Sequence, residues 1–323
     1  MMIHNNKRIC RAAALFFAVL LLLCSVSCGG EAETTEADIP VNVPDESPVK
    51  GLADMQAIGA NTIDSDYALV CDLETLTAVA GLRATERMYP ASLTKLMTFI
   101  VAYENTTDRS ALIEVTRELK NQYPEGSRKG IDVGDFGSVE QMLYALLLES
   151  DTDAALGLAL HVAGSETAFV ERMNAKAEEM GLVGTHFANV TGLHDGKHYS
   201  TAADMAAILA YVLNIELGRT ILTTDTFVTY LKYYKDGVLT DYRMTFYNTT
   251  LHNRFADNDI STETPGGVSV LGGKTGFTDE ASYCLATVAR AADGREYIAI
   301  TGHASSSENS ARDAVKLYDT YLK

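Results

Sequence analysis

Hydrophobic and polar positions follow two rhythms along this chain, and the elements they predict come in a definite order. Tyr67 to Cys71 is an apolar run of strand length, Asp72 and Glu74 bring turn chemistry, and residues 75–80 can return, so a hairpin is predicted over 67–80. From Leu93 to Tyr103 the apolar residues recur at helical spacing, with Pro90 where a helix start tolerates proline and Ser92 in the first turn. Ser138 and Gln141 have capping-box spacing ahead of the apolar residues 142–148. Further helical patterns cover 153–162, 166–180 and 202–213, the last introduced by Ser200 and Thr201 with Asp204 as an acid in its first turn. After Val268 the rhythm shortens again: strands are predicted over 268–276, 283–290 and 297–301, the last two joined by an Asp293-Gly294 turn, before a closing helix over 310–322. Strands at both ends with helices between them predict an α+β fold, an antiparallel sheet built from the two ends of the chain and flanked by helices, with a helical subdomain inserted.

The N-terminus stands outside that pattern. Lys7, Arg8 and Arg11 precede an apolar stretch at 12–23 that is short for a membrane span and has the layout of an export signal, so residues 1–27 are read as a signal peptide. Small residues then lead to Cys28, read as a lipidation site, with plain cleavage after Ser27 as the alternative. Residues 28–52 are acidic and proline-containing, a flexible linker, and the folded catalytic domain is assigned to 53–323. Removing 1–27 takes three basic and no acidic side chains, moving the net charge from −17 to about −20, which disfavours nucleic acid and anionic surfaces. Of the five cysteines only Cys71 and Cys284 fall in the folded part, both inside strand-like apolar runs, and they are read as buried free thiols.

Three short signals carry chemistry. In Ser92-x-x-Lys95 the i, i+3 spacing puts a hydroxyl and an amine on one helix face, close enough for a lysine of lowered pKa to take the hydroxyl proton. Burial, the positive helix end and a second cation all act in that direction. Spacing alone is weak evidence, since Ser47 and Lys50 repeat it in a proline-containing stretch where no helix is predicted. Lys274-Thr275-Gly276 follows Gly272-Gly273 on a predicted strand, where glycines would let a substrate backbone approach while Lys274 and Thr275 hold a carboxylate. Ser150-Asp151-Thr152 follows a helix and gains weight only from its position between the other two. Together they describe a hydrolase that works through an acyl-enzyme. His194 and His198 precede a helix start and lack a third ligand pattern, so no metal is assigned, and the aromatic residues lack the basic interleaving of a nucleic-acid surface.

These motifs, with the runs 89–98, 146–155, 173–177, 184–187, 191–195, 198–201 and 272–281 in the same order, resemble the serine-type D-alanyl-D-alanine carboxypeptidases of the low-molecular-mass penicillin-binding proteins. The resemblance runs from about Tyr67 to the C-terminus and implies a β-lactamase/transpeptidase-like fold. It implies that Ser92 attacks the bond between two D-alanines, with Lys95 as general base and Ser150 relaying protons toward the leaving amine. Thr152, Lys274, Thr275, Gly276 and Phe277 would bind substrate, and the N–H groups of Ser92 and Phe277 would form the oxyanion hole. No cofactor is called for. Peptidoglycan stem peptides would be substrates, β-lactam antibiotics inhibitors, the lipid on Cys28 a membrane anchor, and the location extracytoplasmic. Two departures stand out: Thr152 where the family's S-x-N signal has Asn, and a chain end at Lys323 without the further β-domain and amphipathic anchor of many relatives. The alternatives are a class A-like β-lactamase, for which no E-x-x-L-N segment follows Thr152, and a wall-binding lipoprotein impaired by Thr152.

Overall fold

The structure, a computed structural model, describes residues 47–59 and 61–322; the signal 1–27, Cys28 and most of the 28–52 linker lie outside the described residues. Strand β1 (Gln56–Ala57) precedes the hairpin β2 (Tyr67–Asp72) and β3 (Thr77–Leu82), and a 3₁₀ turn at Ala91–Thr94 leads into α1 (Lys95–Glu104). Then come β4 (Leu112–Glu114), α2 (Arg117–Gln122), β5 (Asp135–Ser138), α3 (Val139–Leu148), α4 (Thr152–Ala163), α5 (Glu166–Glu179), α6 (Ala202–Asn214) and α7 (Glu216–Thr223). A long hairpin, β6 (Thr226–Lys235) and β7 (Val238–Tyr247), is followed by a π-helical turn at Thr250–Phe255, by β8 (Ser269–Thr278), β9 (Ser282–Arg290) and β10 (Glu296–Ala304), and by α8 (Ser307–Tyr321).

The main sheet has the order β1-β3-β2-β10-β9-β8, so β2 from the start of the domain and the last strand, β10, meet at its centre, Ile298 opposite Cys71. All its pairings are antiparallel except the two-residue contact of β1 with β3. Strand alternation sorts the core onto its two faces. Leu69 and Cys71 of β2 join the large cluster with α1, α3, α4 and α6, whereas Ala68 and Val70 face Ala311, Ala314, Leu317 and Tyr318 of α8. Helix α1 is buried from Lys95 through Ala102, which makes it the axis of the helical layer. The capping box at α3 is formed, with Gln141 N–H donating to Ser138 Oγ at 3.2 Å and Ser138 N–H to Gln141 Oε1 at 2.8 Å.

The inserted region carries the helices the sequence predicts, and it holds more than helices. It carries a second sheet, β4-β5-β6-β7, and the 3.6-residue pattern gives no hint of it between 214 and 267. Its signal is the Asp236-Gly237 pair, both residues left-handed (φ 50° and 78°), as a two-residue hairpin turn requires. On its inner face Phe227 stacks on Tyr144 at 3.7 Å and Leu231 and Phe246 are fully buried, while Val228, Tyr230 and Tyr234 point to solvent. Among the described residues no single helix is long and apolar enough to cross a membrane.

Candidate active site

Ser92 sits in the 3₁₀ turn, and the α-helix begins only at Lys95, so the pair spans the junction of two helix types. Lys95 Nζ lies 3.0 Å from Ser92 Oγ and donates to the Thr191 carbonyl at 2.8 Å. The side chain is 1% exposed. Burial lowers its pKa from 10.5 to about 7 against the opposing charge of Asp151, so burial, and not the helix end, is the main cause. A neutral Lys95 keeps one N–H on Thr191 and turns its lone pair to the Ser92 hydroxyl proton.

The Thr191 carbonyl is held by a short, rigid loop. Asn189 Oδ1 accepts from Thr191 N, Thr191 Oγ1 and Gly192 N at 3.1, 3.0 and 2.7 Å. Gly192 has φ 84°, and a Cβ there would lie 1.8 Å from the Ala91 carbonyl oxygen, so only glycine lets this loop pass beneath the serine turn. Nearby, the Ala188 N–H donates to His198 Nδ1, which leaves the proton on Nε2 to donate to Thr94 Oγ1 at 2.7 Å. Burial holds His198 at about 4, so it stays neutral and structural. His194 instead packs edge-on against Tyr89, and among the described residues no group of three or more His, Cys, Asp or Glu side chains could hold a metal.

Strand β8 forms the opposite wall and is an edge of its sheet. Its residue Gly276 lies against the serine turn, where a Cβ would come within 3.0 Å of the Pro90 carbonyl oxygen and 3.2 Å of Ala91 Cβ. Gly272 and Gly273 serve a different purpose from the one expected. Cβ atoms there would lie 2.0 Å from the Leu222 and Ala286 carbonyl oxygens, so these glycines admit the protein's own backbone rather than a substrate's. Lys274 also sits deeper than expected: it is fully buried, donates to the Thr275 carbonyl at 2.7 Å, and burial, then the charges of Lys95 and Arg254, lower its pKa well below 10.5.

Thr275, Gly276 and Phe277 line a cleft of about 290 Å³ together with Ser92, Lys95, Ser150 and Thr152. Ser150 has a left-handed backbone (φ 58°), and its buried Oγ has no hydrogen-bond partner among the described residues. Asp151 caps α4 through the Ala154 N–H at 2.9 Å, and burial lifts its pKa to about 6. Thr152 begins α4 and is 1% exposed.

Sequence reasoning missed Arg254. It projects from the π-helical turn, donates to the Gly276 carbonyl at 3.2 Å and to Ser307 Oγ at 2.9 Å, and keeps a buried Nε without a hydrogen-bond partner among the described residues at the cleft wall. No spacing rule announces a π-helical turn, although such turns favour functional sites. Also missed were Thr249, whose Oγ1 lies 3.1 Å from Thr275 Oγ1, and the cleft-lining Ser127, Lys129 and Glu149. The second S-x-x-K is local structure: Ser47 Oγ accepts the Val49 N–H at 3.3 Å, and Lys50 bridges to Thr77. Asn174 clamps the Phe187 backbone from α5 with two hydrogen bonds of 2.9 Å and takes no place in the cleft. Cys71 and Cys284 are buried and free, their thiols pushed up by burial to about 12 and about 11.

The chain is similar to the D-alanyl-D-alanine carboxypeptidase DacF of Bacillus subtilis (strain 168), 31% identical over 252 residues covering 77% of this chain and 60% of that protein. It is similar to the D-alanyl-D-alanine carboxypeptidase DacC of Escherichia coli (strain K12), 32% identical over 161 residues covering 47% of this chain and 40% of that protein. The chain therefore spans less than two thirds of the length of either. The crystal structure of the Streptomyces K15 DD-transpeptidase superposes with a TM-score of 0.71 at 26% identity, over 81% of this chain and 98% of that one. Residues 54–305 match the profile of Peptidase_S11, D-alanyl-D-alanine carboxypeptidase, and with most of the folded chain inside that match, the protein belongs to this family.

Proposed function

We propose that the protein is a serine D,D-carboxypeptidase that removes the terminal D-alanine of peptidoglycan stem peptides through an acyl-enzyme on Ser92. The observation that carries this reading is a fully buried Lys95 amine, its pKa near 7, 3.0 Å from Ser92 Oγ. Neutral Lys95 takes the hydroxyl proton as Ser92 attacks the carbonyl between the two D-alanines. The N–H groups of Ser92 and Phe277 receive the developing oxyanion, fixed donors worth about 3 kcal/mol each. The substrate carboxylate is held by Thr275 and the Arg254 guanidinium, with Lys274 buried behind Thr275 and bonded to its carbonyl. Ser150, whose hydroxyl is free of other bonds, passes the proton to the leaving amine, which departs as D-alanine. Water then attacks the ester, releasing the shortened peptide and restoring the Ser92 hydroxyl. Penicillins acylate the same serine.

The relatives' names support action on the bacterial cell wall and hence an extracytoplasmic location. Export through residues 1–27, lipidation of Cys28 and a linker that lets the domain reach the wall complete the proposal, on sequence grounds alone. The test is intact-mass analysis over time with a penicillin, beside Ser92→Ala, and D-alanine release from an acyl-D-Ala-D-Ala peptide. An adduct that needs Ser92, with D-alanine release, is the expected result. No adduct and no release would mean an inactive binding protein, and rapid loss of penicillin without an adduct would mean a β-lactamase.

A further inference from the structure

The loop between α2 and β5 lies along the start of α4 and is gripped there at successive positions. Thr152 N–H donates to the Ser127 carbonyl at 2.9 Å, and Asp151 Oδ2 accepts the Lys129 N–H at 3.0 Å. Asp153 takes the Arg128 Nε–H at 2.9 Å, and Glu149 Oε2 lies 3.8 Å from Lys129 Nζ. Arg128 directs its other donors to the carbonyls of Lys120, Pro124 and Gly126, which ties the loop to α2 and to itself. Gly126 rests directly on Thr152, since a Cβ there would lie 2.6 Å from Thr152 Oγ1 and 2.7 Å from Cγ2. Above this contact, Ser127 and Lys129 line the cleft beside Ser92 and Ser150.

We propose that Thr152 is a positioning residue whose compact side chain seats Gly126, so that Ser127 and Lys129 of the loop, in place of an amide at position 152, face the peptide substrate. This rests on the carboxypeptidase reading. Asparagine carries its polar atoms one bond further from Cβ than threonine does. Gly126 already lies against the Thr152 side chain, so a longer amide there is expected to press on the Gly126 backbone, and a threonine here and a loop in this place belong together. The acidic residues at 149, 151 and 153 then hold the basic pair Arg128 and Lys129 against the helix start.

Hydrogen–deuterium exchange over residues 123–131, with penicillin acylation at Ser92, tests this on Thr152→Asn, Thr152→Val and Gly126→Ala. Overpacking the seat from either side is expected to speed exchange of the Lys129 amide by about tenfold or more, with exchange elsewhere unchanged, and to slow acylation. Thr152→Val, which keeps the shape and loses the hydroxyl, is expected to change both less than Thr152→Asn does. Unchanged exchange or faster acylation in Thr152→Asn overturns the proposal. So does a Thr152→Val that slows acylation as much as Thr152→Asn without moving exchange, because Thr152 would then touch substrate itself. A wild-type protein that no penicillin acylates defeats the carboxypeptidase reading instead, and the exchange data still decide the seat.

Discussion

If Lys95 is the base, acylation of Ser92 must follow the protonation of one buried amine. An ordinary lysine of pKa 10.5 is neutral in about three of ten thousand molecules at pH 7, whereas one near 7 is neutral in half of them, so burial multiplies the available base by about 10³. Acylation by a fluorescent penicillin, followed from pH 5 to 9, should therefore rise about tenfold per pH step below 7 and level off above about 8. Other groups near the site are shifted too: Asp151 is pushed to about 6, His198 is held at about 4 and hence neutral throughout, burial raises Glu149, and burial lowers Lys274 and Arg254. Asp151→Asn separates Lys95 from Asp151. It removes the charge that favours protonated Lys95, so a limb owned by Lys95 moves to lower pH, while a limb owned by Asp151 disappears. Lys95→Arg keeps the charge at every pH used and should cost about 10²–10⁴ in acylation rate. The sign for stability follows. The unfolded chain binds a proton on Lys95 between about 7 and 10.5 that the folded chain lacks, so this group makes stability rise with pH across that window. A pH-independent rate between 5 and 8, or Lys95→Arg within tenfold of wild type, would refute the assignment.

Arg254→Met should lower kcat/KM for a carboxylate-terminated peptide by about 10–100-fold and for its C-terminal amide far less, since a charge-assisted bond is lost only with the former; equal losses would deny Arg254 the carboxylate. Gly192→Ala drives a methyl into the Ala91 carbonyl and should cost about 3 kcal/mol or more in urea denaturation, with acylation falling in the fraction that folds; near-native stability would show that the serine turn is not held by that loop. Asp313, 5% exposed, accepts from Ser65 N and Oγ at 2.7 and 2.6 Å and from Asp64 N at 3.0 Å, tying α8 to the segment before β2. Asp313→Ala should destabilise by about 2–4 kcal/mol, and a loss below about 1 kcal/mol would show these bonds to be surface-like.

What the sequence made legible was local. The α3 capping box, the start of α6 and the terminal strands are each specified by residues within a few positions of one another, and each forms where the pattern puts it. At α6 the cap is Thr201, whose Oγ1 accepts the Asp204 N–H at 3.0 Å, rather than Ser200. Ser92, Lys95 and Thr275 are likewise announced by short motifs and do meet in one cleft. Contacts between distant segments were not legible. Arg254 reaches the cleft through a π-helical turn, and the fit of Gly126 on Thr152 depends on a loop twenty-six positions away. The glycines before Lys274 were read as room for substrate because the carbonyls that fill that room, Leu222 and Ala286, come from other strands and helices. The second sheet was missed for a simpler reason: its outer face carries tyrosines and valines, which blur the alternation that marks a half-buried strand.

The central pairing of β2 with β10 also sets the order in which the protein can become whole. The serine turn and α1 follow the first hairpin, yet the wall that faces them, β8, and the strand that locks the sheet, β10, come much later in the chain. Until they arrive, the hydrogen-bonding edge of β2 stays open and the long-range pairing has yet to close, the kind of topology that folds slowly and exposes its intermediates. The cleft is thus complete only in a chain that has finished folding, and under the proposed chemistry covalent labelling of Ser92 doubles as a count of fully matured molecules.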